Sequence, residues 1–257
     1  MAEVVIVTDA EAAGRLAADA ILRRFARIER PVLGVATGST PLTTYRALAS
    51  AGADLSGVRC FALDEYVGLP DGHPESYRAV LDREAVEPLG LDPALLAVPD
   101  ATPATLATAG ERYEAAITAA GGVDVQLLGI GTDGHIGFNE PGSSLASRTR
   151  VKTLTTQTRE DNARFFDSID QVPLHCLTQG LGTIRDARHL VLLAFGANKA
   201  AAVAAAVEGP VSSGVPGSLI QLHPSVTVLV DEAAASELQH ADYYRLAYAN
   251  KPEWQEL

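Results

Sequence analysis

The sequence predicts an α/β fold, with three layers (helix, sheet, helix) around a mostly parallel central sheet. Short apolar runs recur along the chain, and most are continuous rather than alternating, which is typical of strands buried on both faces of a parallel sheet. Helical patterns lie between these runs, as in βαβ units. The length suits one large α/β domain with a sizeable core, so we expect a single domain over residues 1–257.

The apolar runs predict strands at residues 4–7, 32–36, 58–63, 125–130, 189–195 and 226–230. Asp9 can cap the first helix, in which apolar residues between Ala17 and Ile28 recur at helical spacing. Further helices are predicted at residues 41–50, 75–87, 104–120, 198–207 and 233–239. Strands that alternate with helices in this way indicate a Rossmann-like sandwich.

A long polar segment interrupts the alternation. From Gly137 to about Thr178 the chain is poor in predicted strands and rich in polar residues. This is long for a connection in a compact domain, and such segments are usually lids or binding loops. We therefore expect a lid-like insertion at about residues 142–180.

The composition disfavours several classes of partner. Lys and Arg number 20 while Asp and Glu number 32, and the net charge of −12 argues against nucleic acid and an anionic membrane surface. Cys60 and Cys176 form no zinc or disulfide pattern and fit a reducing compartment. The first residues lack a signal-peptide pattern, and no run reaches the length of a membrane span. We expect a cytoplasmic protein.

Polar and glycine-rich residues follow four of the predicted strands. Ligands bind outside the carboxyl ends of strands in open parallel sheets, so the candidate site comprises residues 37–41, 64–66, 131–135 and 196–199. The segment Thr37-Gly38-Ser39-Thr40 precedes Pro41 at a predicted helix start, where free N–H groups, hydroxyls and the helix dipole suit a phosphate. An ordinary Ser/Thr cap on a tight turn is the alternative.

Residues 129–134 match GxGxxG, but the context does not support a dinucleotide site. The helix that should follow is interrupted by Gly137 and Pro141, and the acidic residue expected about 20 positions later is missing. The glycines are better explained by a close approach of the backbone to a small ligand.

Asp64 and Glu65 are adjacent carboxylates at a strand end. Successive strand residues point to opposite sides, so at most one of the two faces a ligand. There it could act as a general base. A helix cap or a surface ion pair is the alternative for either residue.

Asp133, His135 and Glu140 form an acid–histidine–acid cluster in a predicted turn. The carboxylates could polarise the histidine for proton transfer, ligate a metal together with Asp64 or His73, or hold a structural histidine. Because neither HExxH nor HxH is present in the sequence, we expect no metal.

Basic residues cluster at Arg148, Arg150 and Lys152. In an extended segment Arg150 and Lys152 share a face and could bind one anion together, although a solvated surface patch is an equally good explanation. Arg164 and Lys199 are isolated cations near the proposed ligand loops.

Several motifs together resemble the glucosamine-6-phosphate deaminase family. They lie at residues 36–45, 63–69, 73–77, 129–141, 144–150, 164–167 and 222–224. The resemblance implies conversion of glucosamine 6-phosphate to fructose 6-phosphate and ammonium. It also implies that Asp64 moves a proton from C2 to C1, and that Asp133 and Glu140 hold His135, which transfers a proton during ring opening.

The same resemblance implies the phosphate contacts. Gly38, Ser39 and Thr40 would hold the substrate's phosphate with Arg164 and Lys199, and no metal or organic cofactor is needed because every step is a proton transfer. The alternatives on this fold are a galactosamine-6-phosphate deaminase/isomerase, a 6-phosphogluconolactonase and a non-catalytic sugar-phosphate sensor.

Some members of the family are hexamers activated by N-acetylglucosamine 6-phosphate. The resemblance places that activator at Ser143, Arg150, Lys152 and Thr153, and implies a homo-oligomer with up to six subunits. The C-terminal aromatic residue of such a site could be Tyr243, Tyr244 or Tyr248, and residues 211–219 depart from the allosteric pattern.

Overall fold

The computed structural model describes residues 3–252, 254–255 and 257. The strands in this part of the chain are β1 (Glu3–Val7), β2 (Val32–Val35), β3 (Arg59–Ala62), β4 (Asp64–Tyr66), β5 (Leu96–Ala97), β6 (Val125–Leu128), β7 (Arg150–Thr153), β8 (His175–Thr178), β9 (Leu190–Ala194) and β10 (Val226–Asp231). The α-helices are α1 (Ala10–Phe25), α2 (Leu42–Ser50), α3 (Tyr77–Leu81), α4 (Glu87–Leu89), α5 (Leu106–Ala119), α6 (Thr156–Asn162), α7 (Leu181–Arg185), α8 (Ala200–Val207) and α9 (Ala241–Ala249). No helix of the described residues is long and apolar enough to cross a membrane.

Seven strands form the central sheet, in the order β1-β10-β9-β6-β2-β3-β5. Each neighbouring pair is parallel. The predicted α/β fold around a mostly parallel sheet is therefore confirmed. All six predicted strands belong to this sheet, and the two residues of β5 are too few to show a period in the sequence.

The continuous apolar runs are buried as the sequence predicts. All residues of β2, β6 and β9 are buried, and burying one aliphatic side chain stabilises the fold by about 1.5–3 kcal/mol. The hydrophobic core around the sheet includes residues from Val4 to Leu238. The loops at the carboxyl edge are consequently anchored on a tightly packed scaffold.

Three short strands form a second sheet, in the order β4-β8-β7, and both of its pairs are antiparallel. Leu63 joins the two sheets, because its N–H donates to the carbonyl of Val35 (3.2 Å) and its carbonyl accepts from the N–H of Gln179 (2.7 Å). The expectation that residues 137–178 are poor in strands is wrong, since β7 and β8 lie there. These strands are short and half polar, and the pairing of β8 with both β4 and β7 supplies what the local pattern lacks.

The last helix lies later than predicted. Residues 233–239 form turns in place of a helix, and α9 follows at Ala241–Ala249. The Asp231 side chain accepts from the N–H of Ala234 (2.8 Å) and from that of Gly196 (3.1 Å). The carboxylate thus ties this turn to the loop after β9 and holds the chain in a local turn.

The predicted helix at residues 75–87 begins later and is not uniform. Ser76 caps α3 by accepting from the N–H of Ala79 (3.2 Å), and a π-helical turn (Asp82–Val86) joins α3 to α4. Glycine in the left-handed conformation at Gly90 ends this helical stretch.

Candidate active site

The loops singled out in the sequence lie side by side. Four neighbouring strands precede them, in the order β9-β6-β2-β3, and these strands are parallel. Their carboxyl ends therefore meet at one edge of the central sheet. Residues 196–199, 131–135, 37–40 and 64 follow these strands in that order along the edge.

A tight turn after β6 holds His135. The N–H of Gly131 donates to the carbonyl of His135 (2.9 Å), and the imidazole lies directly against Gly131, where a Cβ would stand only 2.7 Å from His135 Cγ. His135 Nδ1 lies 2.7 Å from Asp133 Oδ1 and 3.6 Å from Glu140 Oε2. The structure thus brings the three members of the predicted acid–histidine–acid cluster together.

Asp133 is the carboxylate nearest to the imidazole. Partial burial alone would raise the pKa of Asp133, but the hydrogen bond and charge of His135 outweigh that effect and hold the pKa well below its usual range. Asp133 also accepts from the backbone N–H of His135 (3.1 Å). An ionised Asp133 can therefore orient the imidazole and stabilise its protonated form.

Glu140 approaches the imidazole from a second side and is 3% exposed. Its Oε1 accepts from the backbone N–H (3.2 Å) and the hydroxyl (3.3 Å) of Thr155, which fixes the side chain. Its Oε2 is buried and has no hydrogen-bond partner among the described residues. That oxygen is available to a proton or to a ligand that enters beside His135.

Asp64 begins β4 and is 6% exposed. Burial, together with the charge of Glu65, raises the pKa of Asp64 to about 7, while His135 and Thr178 partly oppose the rise. A carboxylate with this pKa can both accept and return a proton near neutral pH. This behaviour is what the predicted general base requires.

Glu65 has a different role from Asp64. Its Oε1 accepts from the N–H groups of Tyr66 (2.8 Å) and Tyr77 (2.9 Å), and its Oε2 accepts from that of Arg78 (2.9 Å). Glu65 therefore binds the first N–H groups of α3, and the capping alternative is the correct one for this residue. The expectation that at most one of the two carboxylates faces a ligand agrees with this arrangement.

The segment at residues 37–40 precedes α2. The helix has no side-chain cap in the structure, because Pro41 is its N-cap residue. Gly38 has a φ of 89°, which favours glycine, and a Cβ there would meet nothing within 4 Å. The loop therefore has open space before it, and the alternative of an ordinary Ser/Thr cap is not what the structure contains.

Lys199 and Arg164 lie within electrostatic range of each other. Partial burial lowers the pKa of Lys199, and the charge of Arg164 adds to this effect, whereas Asp161 and Asp133 oppose it. Arg164 is exposed and its guanidinium carbon lies 4.7 Å from the centre of the Phe165 ring. Lys199 is thus within electrostatic range of both Arg164 and Asp133, although 35 positions separate the two cations in the sequence.

Three of the four proposed activator residues lie on β7, where they are divided between its two faces. Arg150 and Lys152 are half-buried on one face, and Arg150 donates to Asn139 Oδ1 (2.8 Å) in the His135 turn. Thr153 is exposed on the other face, where its hydroxyl contacts His175 Nδ1 (3.3 Å). Ser143 is buried, and its hydroxyl has no partner in the described part of the chain.

The cluster around His135 could also hold a cation. Ligand atoms of Asp133, His135 and Glu140 all lie within 4.8 Å of one another. A histidine and two carboxylates suit several divalent metals, although Asp133 and Glu140 are also the partners that a proton-transferring histidine needs. Geometry alone is compatible with both uses.

The sequence does not predict the roles of two residues at the site, Asn139 and Thr178. Asn139 is fully buried and donates to the carbonyls of Ile136 (3.0 Å) and Gln179 (2.8 Å), which ties the turn to the end of β8. Thr178 is equally buried, and its hydroxyl lies between Asp64 and the turn. Asn139 lies within the motif at residues 129–141, whereas no local sequence pattern distinguishes Thr178.

Comparison with known proteins agrees with this geometry. A curated relative named glucosamine-6-phosphate deaminase, from Streptomyces coelicolor, is 62% identical over 258 residues, which cover 98% of this chain and 99% of the relative. A protein of the same name from Bifidobacterium longum is 58% identical over 268 residues, covering 99% of each chain.

Solved structures give a consistent result. The structure of a protein described as a monomeric glucosamine-6-phosphate deaminase matches with a TM-score of 0.88 at 39% identity, covering 91% of this chain and 99% of the other. A 6-phosphogluconolactonase from Trypanosoma brucei shares the fold, with a TM-score of 0.76 at 19% identity, covering 93% and 99% of the two chains.

The sequence pattern of one family extends over nearly all of the loops described above. Residues 8–229 match the glucosamine-6-phosphate isomerases/6-phosphogluconolactonase family, and this range includes every residue of the His135 cluster and Asp64. The resemblance seen in the motifs is thereby confirmed. The chain belongs to the glucosamine-6-phosphate isomerase/6-phosphogluconolactonase family.

Proposed function

We propose that this protein is a glucosamine-6-phosphate deaminase that converts glucosamine 6-phosphate and water to fructose 6-phosphate and ammonium. The observation that carries the proposal is a buried carboxylate, Asp64, whose pKa is raised to about 7 by burial and by Glu65. It lies at the sheet edge that also bears the His135 cluster. The high identity to relatives with this name supports the same activity.

The reaction begins with opening of the sugar ring. His135 transfers a proton to the ring oxygen and takes the proton of the C1 hydroxyl, which leaves the open-chain aldehyde and an imidazole in its starting protonation state. Asp133, 2.7 Å from His135 Nδ1, stabilises the protonated imidazole, and Glu140 supports it at 3.6 Å. Two carboxylates around one histidine orient the imidazole for proton transfer.

Asp64 then carries out the isomerisation. It removes the proton from C2, the electron pair forms the C1–C2 double bond, and the protonated imidazole of His135 donates a proton to the carbonyl oxygen at C1 to give an enolamine. Asp64 returns its proton to C1 while the nitrogen electron pair forms the C2–N double bond. Water adds to C2 of this imine, ammonia leaves, and the ketone of fructose 6-phosphate results.

Gly38, Ser39 and Thr40, with Arg164 and Lys199, bind the phosphate in this proposal. The loop supplies N–H groups and hydroxyls before α2, and the two cations supply the charge that an otherwise acidic protein lacks. Fixing the phosphate positions C1 and C2 at Asp64, which converts binding free energy into orientation.

Ammonium release from glucosamine 6-phosphate is the direct test. The wild-type protein should release ammonium and fructose 6-phosphate in equal amounts, and Asp64→Asn should reduce kcat by about 10²–10⁴-fold while the Kd for the substrate changes little. Substrate binding by the wild type without ammonium release would favour a sugar-phosphate sensor.

The same assay distinguishes the other members of the fold. Galactosamine 6-phosphate as the better substrate would favour the epimer-specific deaminase/isomerase, and rapid hydrolysis of 6-phosphogluconolactone would favour a lactonase. We propose a metal-free reaction, so activity should survive EDTA. Loss of activity in EDTA that Mn²⁺ or Zn²⁺ restores would assign the Asp133, His135 and Glu140 cluster to a metal.

We further propose one cytoplasmic domain over residues 1–257, with residues 142–180 as a lid. Activation by N-acetylglucosamine 6-phosphate at Ser143, Arg150, Lys152 and Thr153, in a homo-oligomer with up to six subunits, stays a prediction. The solved relative described as monomeric is a reason to test it. Light scattering of the purified protein measures its mass, and hyperbolic kinetics unchanged by the activator would remove this part of the proposal.

A further inference from the structure

Thr178 occupies the junction between the base and the histidine turn. It ends β8, and in the second sheet it stands directly opposite Asp64 of β4 and directly opposite Arg150 of β7. Side chains of directly opposed residues in neighbouring strands lie on the same face. The Thr178 side chain is fully buried, so no bulk water competes for its hydroxyl.

The hydroxyl has three neighbours and a single proton. It accepts from the N–H of Phe138 (3.1 Å), which fixes one of its lone pairs on the turn that carries His135. Its proton can be donated to Asp64 Oδ2 (3.4 Å) or to the carbonyl of Gln179 (3.3 Å). A hydroxyl has one donor, so it can serve only one of these two acceptors at a time.

We infer that Thr178 is a positioning residue whose hydroxyl proton follows the protonation state of Asp64. When Asp64 is ionised, the hydroxyl donates to Oδ2 and aims the carboxylate. When Asp64 carries the substrate's proton, the hydroxyl turns to the carbonyl of Gln179 and its oxygen accepts from the carboxylic acid. The hydroxyl therefore has a suitable hydrogen-bond partner both before Asp64 takes the C2 proton and while Asp64 holds it for return to C1.

This inference rests on the proposed function, because it needs Asp64 to take up and return a proton. The backbone around Asp64 also holds the Thr178 hydroxyl close to this carboxylate. Gly137 passes so close that a Cβ there would stand 3.2 Å from Thr178 Oγ1 and 3.5 Å from Asp64 Oδ2. The backbone thus encloses the Asp64–Thr178 pair.

Other ionisable groups also face Asp64, on every element packed against it. They are Glu65 and Tyr66 of β4, Tyr77 of α3, Tyr113 of α5, Cys176 of β8 and His135 of the turn. Burial raises the pKa values of the three tyrosines and of the thiol, which keeps these groups neutral between pH 5 and about 9. Glu65 and His135 are present in every variant, and Thr178→Ser keeps a hydroxyl for both Asp64 and the N–H of Phe138, so the comparison of Thr178→Val with Thr178→Ser reports on the hydroxyl.

The test compares kcat/KM for ammonium release from pH 5 to about 9 in the wild type, Thr178→Val and Thr178→Ser. Loss of a hydrogen bond to a carboxylate should shift the acid limb of the Thr178→Val profile toward higher pH by about one unit. Its kcat/KM should then be about tenfold below wild type at pH 6 and approach wild type near pH 9. Thr178→Ser should restore the wild-type limb.

A purely structural role predicts a different pattern. It would lower activity by the same factor at every pH, and that result, or a Thr178→Ser profile as displaced as that of Thr178→Val, would overturn the inference. Thr227→Val is the matched control, because Thr227 is also buried in a strand but contacts His189 (3.2 Å) and not Asp64. Its acid limb should coincide with that of the wild type.

Two further outcomes are separable. If Thr178→Val does not fold, Thr178→Cys replaces it, since a thiol is a weak donor and should displace the limb in the same direction. If the wild type itself releases no ammonium, the proposed function fails. An active wild type with an unshifted Thr178→Val profile refutes only the role of Thr178.

Discussion

Replacing Gly131 with alanine should disable the enzyme without unfolding it. The His135 imidazole lies against Gly131, and an added Cβ would stand 2.7 Å from His135 Cγ and still closer to Nδ1 and Cε1. Carbon atoms in contact prefer about 3.5–4.0 Å, so the ring must move by about 1 Å or more. Gly131 is not among the glycines with positive φ, and alanine therefore fits the backbone.

The ring displacement changes the contact between His135 and Asp133, which aligns the proposed proton transfer. His135 Nδ1 lies 2.7 Å from Asp133 Oδ1, so a movement of about 1 Å away from Asp133 is enough to take it beyond hydrogen-bond distance. Misplacement by that amount can cost about 10²-fold in rate, equivalent to about 2.7 kcal/mol in the barrier. We expect kcat to fall about 100-fold and KM to change little, because the proposed phosphate contacts lie on other loops.

Steady-state ammonium release at pH 8 measures this effect, and urea unfolding checks that the fold is retained. Gly57→Ala is the matched control, since its φ is not positive, a Cβ there would meet nothing within 4 Å, and it precedes β3 at the opposite end of the sheet. The control should retain wild-type kcat. A Gly131→Ala enzyme with more than about half of the wild-type kcat would refute the reasoning.

The remaining predictions concern pH, phosphate binding and stability. Burial and then the charge of Glu65 raise the pKa of Asp64 to about 7, and the base acts when ionised, so kcat/KM should fall about tenfold per pH unit below that value. A flat rate profile between pH 5 and about 8 would contradict this role. Lys199→Met and Arg164→Met should each raise KM about 10- to 100-fold with a smaller effect on kcat, because each removes a proposed charged phosphate contact; unchanged KM values in steady-state assays would exclude these contacts. Glu65→Ala should lower the free energy of unfolding by about 2–4 kcal/mol, because three backbone N–H groups lose their acceptor, and Glu65→Gln should lose less. Urea denaturation measures both variants, and equal midpoints for wild type and Glu65→Ala would show that the cap is dispensable.

The sequence locates the site because parallel sheets obey a simple geometric rule. The strands before Thr37, Asp64 and Gly131 are visible as apolar runs, and their carboxyl ends must meet at one edge. Asp133, His135 and Glu140 are close in sequence, so a single turn brings them together. Local pattern is sufficient wherever the partners of a contact are neighbours along the chain.

Local pattern does not resolve the adjacent carboxylates. Asp64 and Glu65 have the same kind of side chain and stand at the same strand end, yet one is the candidate base and the other binds the first turn of α3. The difference arises from the residues packed against them, Tyr77 and Arg78 for Glu65 and Thr178 for Asp64. Those partners are 12 to 114 positions away, a separation that no local periodicity records.

The sequence by itself therefore determined the parallel sheet, its loops and the acid–histidine–acid cluster of the turn, since these depend on burial of apolar runs and on short-range spacing. Only the tertiary structure decided that residues 175–178 pair with β4 on one side and with residues 150–153 on the other, and that Thr178 reaches Asp64. These strands are short and polar, so their own propensity is weak. Pairing between distant segments supplies the hydrogen bonds that stabilise them, and burial against those segments sets the pKa of Asp64.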